Sequence, residues 1–173
     1  MKIIDNFLEE EYHKEIHNRL MTWGFPWFFQ ETLTHGVLDL DAVGFNHWLT
    51  AESEPLFIPL VEKMQSAISA PDAECTRLRA DMTIYNPTGY KHGYHIDSQQ
   101  PHIVCIYYVN TSDGNTCIRG HQSPSDEHEV EPIANRLLIF DGKLQHTGHS
   151  PKRHKNRILI NANFGNPTSL LTL

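Results

Sequence analysis

The chain has 173 residues and a net charge of −7, with 39% hydrophobic and 20% charged residues. Those proportions describe one globular domain able to bury a core of its own, and they exclude a fibrous or disordered chain. The acidic balance counts against broad binding of nucleic-acid backbone, which needs a basic face, and no apolar run approaches the about 18 residues of a membrane helix.

The N-terminus, Met1-Lys2-Ile3-Ile4-Asp5, lacks the apolar core of a secretory signal. Asp5 or Asn6 is placed to cap a helix from Phe7, along which Leu8, Tyr12, Ile16 and Leu20 recur at helical spacing until Gly24 and Pro26 end it. The aromatic stretch Trp23 to Phe29 has no clear period and reads as a weak strand. A second helix is predicted after Ser53 or Pro55, through Leu60, Val61, Met64 and Ile68, stopping at Pro71. These helices make residues 1–76 a helical lead-in.

From residue 77 short apolar runs alternate with turns. Leu78 to Tyr85 reads as a strand closed by Asn86-Pro87-Thr88-Gly89. Ile103 to Val109 is rich in β-branched and aromatic residues, and Thr116 to Ile118 would complete a hairpin with it. Gln122 to Pro132 is polar, acidic and proline-containing, hence a loop. Leu137 to Phe140 ends at Asp141-Gly142. In the last strand Ile158, Ile160, Ala162 and Phe164 alternate with Arg157, Leu159, Asn161 and Asn163. Helices followed by regularly spaced strands predict an α+β chain whose β part, residues 77–165, is a barrel or jelly-roll sandwich. The three cysteines (Cys75, Cys105, Cys117) are odd in number and too far apart for a zinc knuckle or redox motif, so a reducing, cytoplasmic setting is expected.

Twelve histidines make any single histidine motif cheap. His95-Ile96-Asp97 places an imidazole and a carboxylate on one side of an extended segment, where both reach one ion such as Fe(II). His13-Lys14-Glu15 has the same form but lies on the first helix, where i and i+2 diverge. His13 and His17 stand at i and i+4, yet the residue after His13 is lysine and not the glutamate of a metalloprotease helix, so a solvated face is expected. A facial triad needs one more histidine from a separate strand. His146 and His149 both qualify, and Arg157 lies eleven residues beyond His146. Arg157 shares a strand face with Asn161 and Asn163, and periodicity alone leaves open whether that face lines a polar pocket or meets water. His92, His102, His121 and His128 have no assigned role and are expected mostly at the surface.

Four segments resemble the iron(II)- and 2-oxoglutarate-dependent oxygenases of the prolyl-hydroxylase-like branch. They are Tyr85-Asn86-Pro87-Thr88-Gly89 with His95-x-Asp97, Cys105 to Asn110, Asp113-Gly114-Asn115-Thr116, and Phe140 through His146 to Arg157. Ile4-Asp5-Asn6-Phe7-Leu8 is similar to that branch's N-terminal region. One departure is Gly114-Asn115 where the family usually has two glycines; asparagine tolerates the same turn. The resemblance implies a double-stranded β-helix (jelly-roll, cupin-like) with the N-terminal helices packed on one sheet. It implies His95, Asp97 and His146 as iron ligands, Arg157 and Tyr108 on the distal carboxylate of 2-oxoglutarate, and Tyr85 lining the site near the metal. O2 would be co-substrate and ascorbate an accessory reductant.

The implied activity is hydroxylation of a C–H bond, first in a peptidyl proline or another amino-acid residue, then in a free amino acid or small metabolite. Nucleic acid is disfavoured by charge. Residues 122–132 and 23–29 are candidate substrate contacts. The competing readings are a metal-dependent cupin-like hydrolase or isomerase, which has no need of Arg157 deep in the pocket, and a catalytically inactive jelly-roll binding protein.

Overall fold

The computed structural model describes residues 1–33, 39–50, 52–120 and 126–165. Among the described residues ten strands and two α-helices follow in chain order. They are β1 (Lys2–Ile4), α1 (Glu10–Met21), β2 (Phe28–Gln30), β3 (Gly44–Trp48), α2 (Ile58–Ala67), β4 (Glu74–Ile84), β5 (His102–Tyr108), β6 (Thr116–Arg119), β7 (Glu127–Val130), β8 (Arg136–Asp141), β9 (His146–Gly148) and β10 (Asn156–Gly165). They form a seven-stranded sheet in the order β1-β8-β5-β10-β4-β3-β2 and a three-stranded sheet β7-β6-β9. Every ladder is antiparallel. Bridges from Lys91 to His149 and from His95 to His146 lay the segment 91–95 along the free side of β9.

The run Ile103 to Val109 is continuously apolar because β5 is buried on both faces of the large sheet. Along β5, Ile103, Cys105 and Tyr107 join one apolar cluster with Ile16 and Leu20 of α1, Leu60 and Met64 of α2, and Ile158, Ile160, Ala162 and Phe164 of β10. Val104, Ile106 and Tyr108 join the other, with Ile118, Leu138, Phe140 and Leu159 between the sheets. Each such large side chain contributes about 1.5–3 kcal/mol on burial, so the alternation fixes which way β5 and β10 face. Asn135 ties the chain ahead of α1 to the start of β8. Its side chain exchanges two 2.8 Å hydrogen bonds with the Leu8 backbone and accepts the Tyr107 hydroxyl at 3.2 Å.

Several expectations need correction. The lead-in 1–76 is not purely helical: β1, β2 and β3 belong to the large sheet, and β4 already begins at Glu74. Strands of three to five residues are too short to carry a period, and their partners lie far away, β1 pairing with β8. The first helix starts at Glu10 rather than Phe7, with Asn6 at φ 51°, and without a side-chain cap. Within the stretch expected as a loop, Glu127–Val130 forms β7, drawn into a ladder by β6; residues 122–125 lie outside the described residues. Among the described residues no helix is long and apolar enough to cross a membrane.

Candidate active site

Between the sheets, β4 and β10 supply a floor of polar side chains. Arg157 pairs with Thr83, Leu159 with Asp81, Asn161 with Arg79 and Asn163 with Arg77 across the ladder, all on the face turned to the small sheet. Arg157, Asn161 and Asn163 are buried, so that face lines an interior and is not a wetted surface. Across from them stand Thr116 and Ile118 of β6, His146 and Gly148 of β9, and the segment 92–97. The cavity between holds Thr83, His92, His95, Thr116, His146 and Arg157 in its wall.

At one end His95, Asp97 and His146 come together, one donor atom of each lying within 4.8 Å of the others. The bridge between His95 and His146, two backbone hydrogen bonds of 2.9 and 3.0 Å, sets these two side by side with ring centroids 4.6 Å apart. Each ring turns its Nδ1 to a carbonyl two residues back, Gly93 and Leu144, both at 3.2 Å. That leaves Nε2 of each facing Asp97, at 3.6 and 3.9 Å. An Nδ1 held by a carbonyl fixes the tautomer whose Nε2 lone pair can bind metal.

Asp97 is oriented by Arg77, 2.7 Å from Oδ1, and by Asn161, whose Nδ2 donates to Oδ2 at 3.2 Å. Burial pushes its carboxyl pKa up, but contact with His95 and the charge of Arg77 outweigh this and hold it well below the usual range. Burial depresses the His146 ring to about 4, only partly opposed by Asp97. A carboxylate at Asp97 and a neutral imidazole at His146 are protonation states a divalent cation requires.

At the other end Arg157 is the decisive group. Its Nη2 donates to Thr116 Oγ1 at 2.6 Å, and the Tyr108 hydroxyl donates to the same atom at 2.6 Å. Its Nε has no partner, nor do the nearby buried Thr83 Oγ1 and Asn161 Oδ1. Burial lowers the arginine's pKa, but a guanidinium stays protonated in proteins, so the site holds a cation hydrogen-bonded to a neutral hydroxyl. The glycine at 148 makes room: a Cβ there would lie 3.0 Å from Arg157 Nη1. The unmet donors Arg157 Nε and Thr83 Oγ1 fit a carboxylate-bearing ligand, and the histidine and aspartate ligand atoms fit Fe(II).

No protein-family model matches the chain, and no curated protein does. Among solved structures, the chain is similar to a prolyl hydroxylase from Trichoplax adhaerens, solved with a hypoxia inducible factor peptide fragment. The TM-score is 0.71 at 17% identity, covering 96% of this chain and 84% of that one. It is also similar to a prolyl-4-hydroxylase from Pseudomonas putida, at TM-score 0.67 and 15% identity over 95% and 92% of the two chains. HygX from Streptomyces hygroscopicus, solved with nickel, 2-oxoglutarate and hygromycin B, superposes at TM-score 0.63 and 11% identity over 96% and 82%. The fold is the jelly roll of the 2-oxoglutarate and iron(II) oxygenases.

Within that oxygenase fold, not every expected residue meets the cavity. Tyr85 shares the parity of Asp81 and Thr83 but falls one residue beyond β4; it is 54% exposed and does not line the cavity. His149 points to the other side of the small sheet from His146, with its Nε2 3.3 Å from Cys117 Sγ. His92 and His102, expected outside, are buried, whereas His128 is exposed and His121 lies outside the described residues. His92 lines the cavity and meets Ser150 Oγ at 3.2 Å. His13 is half-buried against the Tyr107 hydroxyl at 2.6 Å and not solvated. Of the aromatic stretch 23–29, Phe25 is core and none lines the cavity. In the sequence Thr116 closes the segment Asp113-Gly114-Asn115-Thr116 without a role of its own, and the half-buried Asp81, beside Arg79 at 2.7 Å, carries no signal there.

Proposed function

We propose that this chain is an iron(II)- and 2-oxoglutarate-dependent dioxygenase that hydroxylates a C–H bond in a prolyl or other amino-acid residue of a peptide or protein. The observation that carries the reading is the pairing, across one cavity, of the His95/Asp97/His146 cluster with a buried arginine that lacks an anion. His95, Asp97 and His146 would hold Fe(II), and Arg157 with Tyr108 and Thr116 would hold the distal carboxylate of 2-oxoglutarate. Bound together, iron, 2-oxoglutarate and O2 supply the oxidising chemistry, with succinate and CO2 as co-products.

The residues of the chain do the rest. Arg77 and Asn161 keep Asp97 ionised and aimed, and the Gly93 and Leu144 carbonyls keep the two imidazoles in one tautomer. Arg157 offers a planar donor set matched to a carboxylate. Thr116 accepts from both Arg157 and Tyr108, so its own hydroxyl proton remains to donate to the ligand. Apolar Ile106 and Leu159 in the wall limit water around the reacting groups. A peptide occupies the Trichoplax prolyl hydroxylase, which supports a peptide as the first substrate class to test.

A metal-dependent hydrolase or isomerase of the same shape would not need a buried guanidinium at the far end. The test is conversion of 2-oxoglutarate to succinate by purified protein with Fe(II) and O2. We expect slow turnover without prime substrate and stimulation by a proline-containing peptide. Succinate no higher than that of a His95→Ala control would overturn the reading.

A further inference from the structure

A second set of metal-capable side chains lies on the opposite face of the small sheet. Thr116 and Ile118 of β6 point to the interior, so Cys117 between them points outward. Glu129 of β7 is its direct cross-strand neighbour, and His149 follows β9 on its other side. Cys117 Sγ lies 3.3 Å from His149 Nε2, and one donor atom of each of the three residues is within 4.8 Å of the others. The oxygenase reading uses none of these three.

We propose that Cys117, Glu129 and His149 form a second metal site, for a thiolate-binding divalent cation of which zinc is the first choice. Thiolate, imidazole and carboxylate are the donors zinc accepts, and three of them leave one position for water. Bonds of about 2.3 Å to sulfur and about 2.0 Å to nitrogen at a tetrahedral ion place those two atoms roughly 3.5 Å apart. The observed separation is close to that. Three different strands or their ends supply the ligands, so the sheet ladder holds them in register without an ion.

The surroundings suit a cation more than the nearby lysine suggests. Burial pushes the Cys117 thiol up to about 11, so an ion has to displace its proton, a step that the neighbouring Lys91 charge favours. The Lys91 ammonium is itself matched by Glu127 at 2.6 Å. Arg119 stacks on the Tyr94 ring at 3.4 Å, and the Tyr94 hydroxyl bonds Glu127. Asn115 Nδ2 donates to Glu129 Oε2 at 2.9 Å and orients that carboxylate, leaving the other oxygen to the ion. Burial, with Lys91 second, keeps the His149 ring below its ordinary pKa and therefore neutral. Cys117 is buried, His149 half-buried and Glu129 exposed, so the ion enters past the carboxylate. An ion here would join β6, β7 and the end of β9 from outside, one residue from Thr116 and three from His146.

Cobalt(II), added without oxygen to the metal-free full chain, tests the site through its thiolate-to-cobalt charge-transfer absorbance. We expect the band in the wild type, its displacement by zinc, and its persistence in a His95→Ala/His146→Ala double variant. Cys117→Ser removes it. Glu129→Gln, at an exposed position, weakens cobalt binding roughly tenfold while the fold is retained; His149→Ala serves as the second variant if Cys117→Ser does not fold. No band in the folded wild type overturns the proposal. So does a band that survives Cys117→Ser and hence arises from Cys75 or Cys105, or one lost with His95 and His146. The readout is absorbance and does not depend on oxygenase turnover.

Discussion

Arg157 Nη2 rests 2.6 Å from Thr116 Oγ1, an atom that also accepts the Tyr108 hydroxyl at 2.6 Å. One threonine oxygen thus positions the cation in the cavity wall, and that cation forms no ion pair with a carboxylate among the described residues. Such an arrangement is costly unless a ligand completes it.

Thr116→Val keeps the shape and removes that acceptor. The KM for 2-oxoglutarate is expected to rise about tenfold, corresponding to loss of a charge-assisted contact of about 1.5 kcal/mol, with a smaller change in kcat. Thr116→Ser should restore most of it. Steady-state succinate formation with Fe(II) saturating separates the two constants; an unchanged KM would remove Thr116 from the ligand site.

Gly148→Ala tests the room around the guanidinium. The new Cβ would sit 3.0 Å from Nη1 and 3.2 Å from Cζ of Arg157, so the arginine has to give way. We expect weaker 2-oxoglutarate binding, by about three- to tenfold, because bidentate contacts tolerate little displacement. Equilibrium binding of Fe(II) should change far less, and parallel titrations of the two ligands check this.

The two competing histidines give opposite results. His146→Ala is expected to weaken Fe(II) binding roughly 100-fold or more, since it takes away one of three donors, whereas His149→Ala leaves iron binding near that of the wild type. Equal losses in both variants would mean that the two faces of β9 are not as separate as described.

Asp113 gives a pH dependence. Its carboxylate accepts the His154 Nδ1–H at 2.8 Å, the Arg153 side chain at 3.1 Å and the backbone of residues 152–154. Burial raises its pKa, but these bonds to His154 and Arg153 prevail and hold it well below the ordinary range. A depressed folded-state value stabilises the fold above the unfolded aspartate value and is lost as the pH falls toward the folded one. Asp113→Asn should therefore cost about 2 kcal/mol at pH 7, and the difference from wild type should shrink below about pH 4. Urea unfolding across that range measures it.

What could be read from the sequence was local. The period of two along residues 157–164 places Arg157, Asn161 and Asn163 on one face, because side-chain alternation is a property of the strand itself. The i, i+2 spacing of His95 and Asp97 brings both to one side of an extended segment for the same reason. The helices around Ile16, Leu20, Leu60 and Met64 were legible from their apolar spacing.

What those faces meet was decided only by the tertiary structure. Arg157 is inside because β6 and β9 lie over β10, a stacking that no window of ten residues contains. His146 faces Asp97 while His149 faces Cys117, since successive positions along β9 turn to opposite sides and the register with β6 sets which is which. Thr116 gains its place from two partners 8 and 41 residues away, and β1 from a strand more than a hundred residues on. The local backbone determines direction, whereas burial and partnership depend on contacts distant in sequence, and these turn a weak three-residue motif into a site.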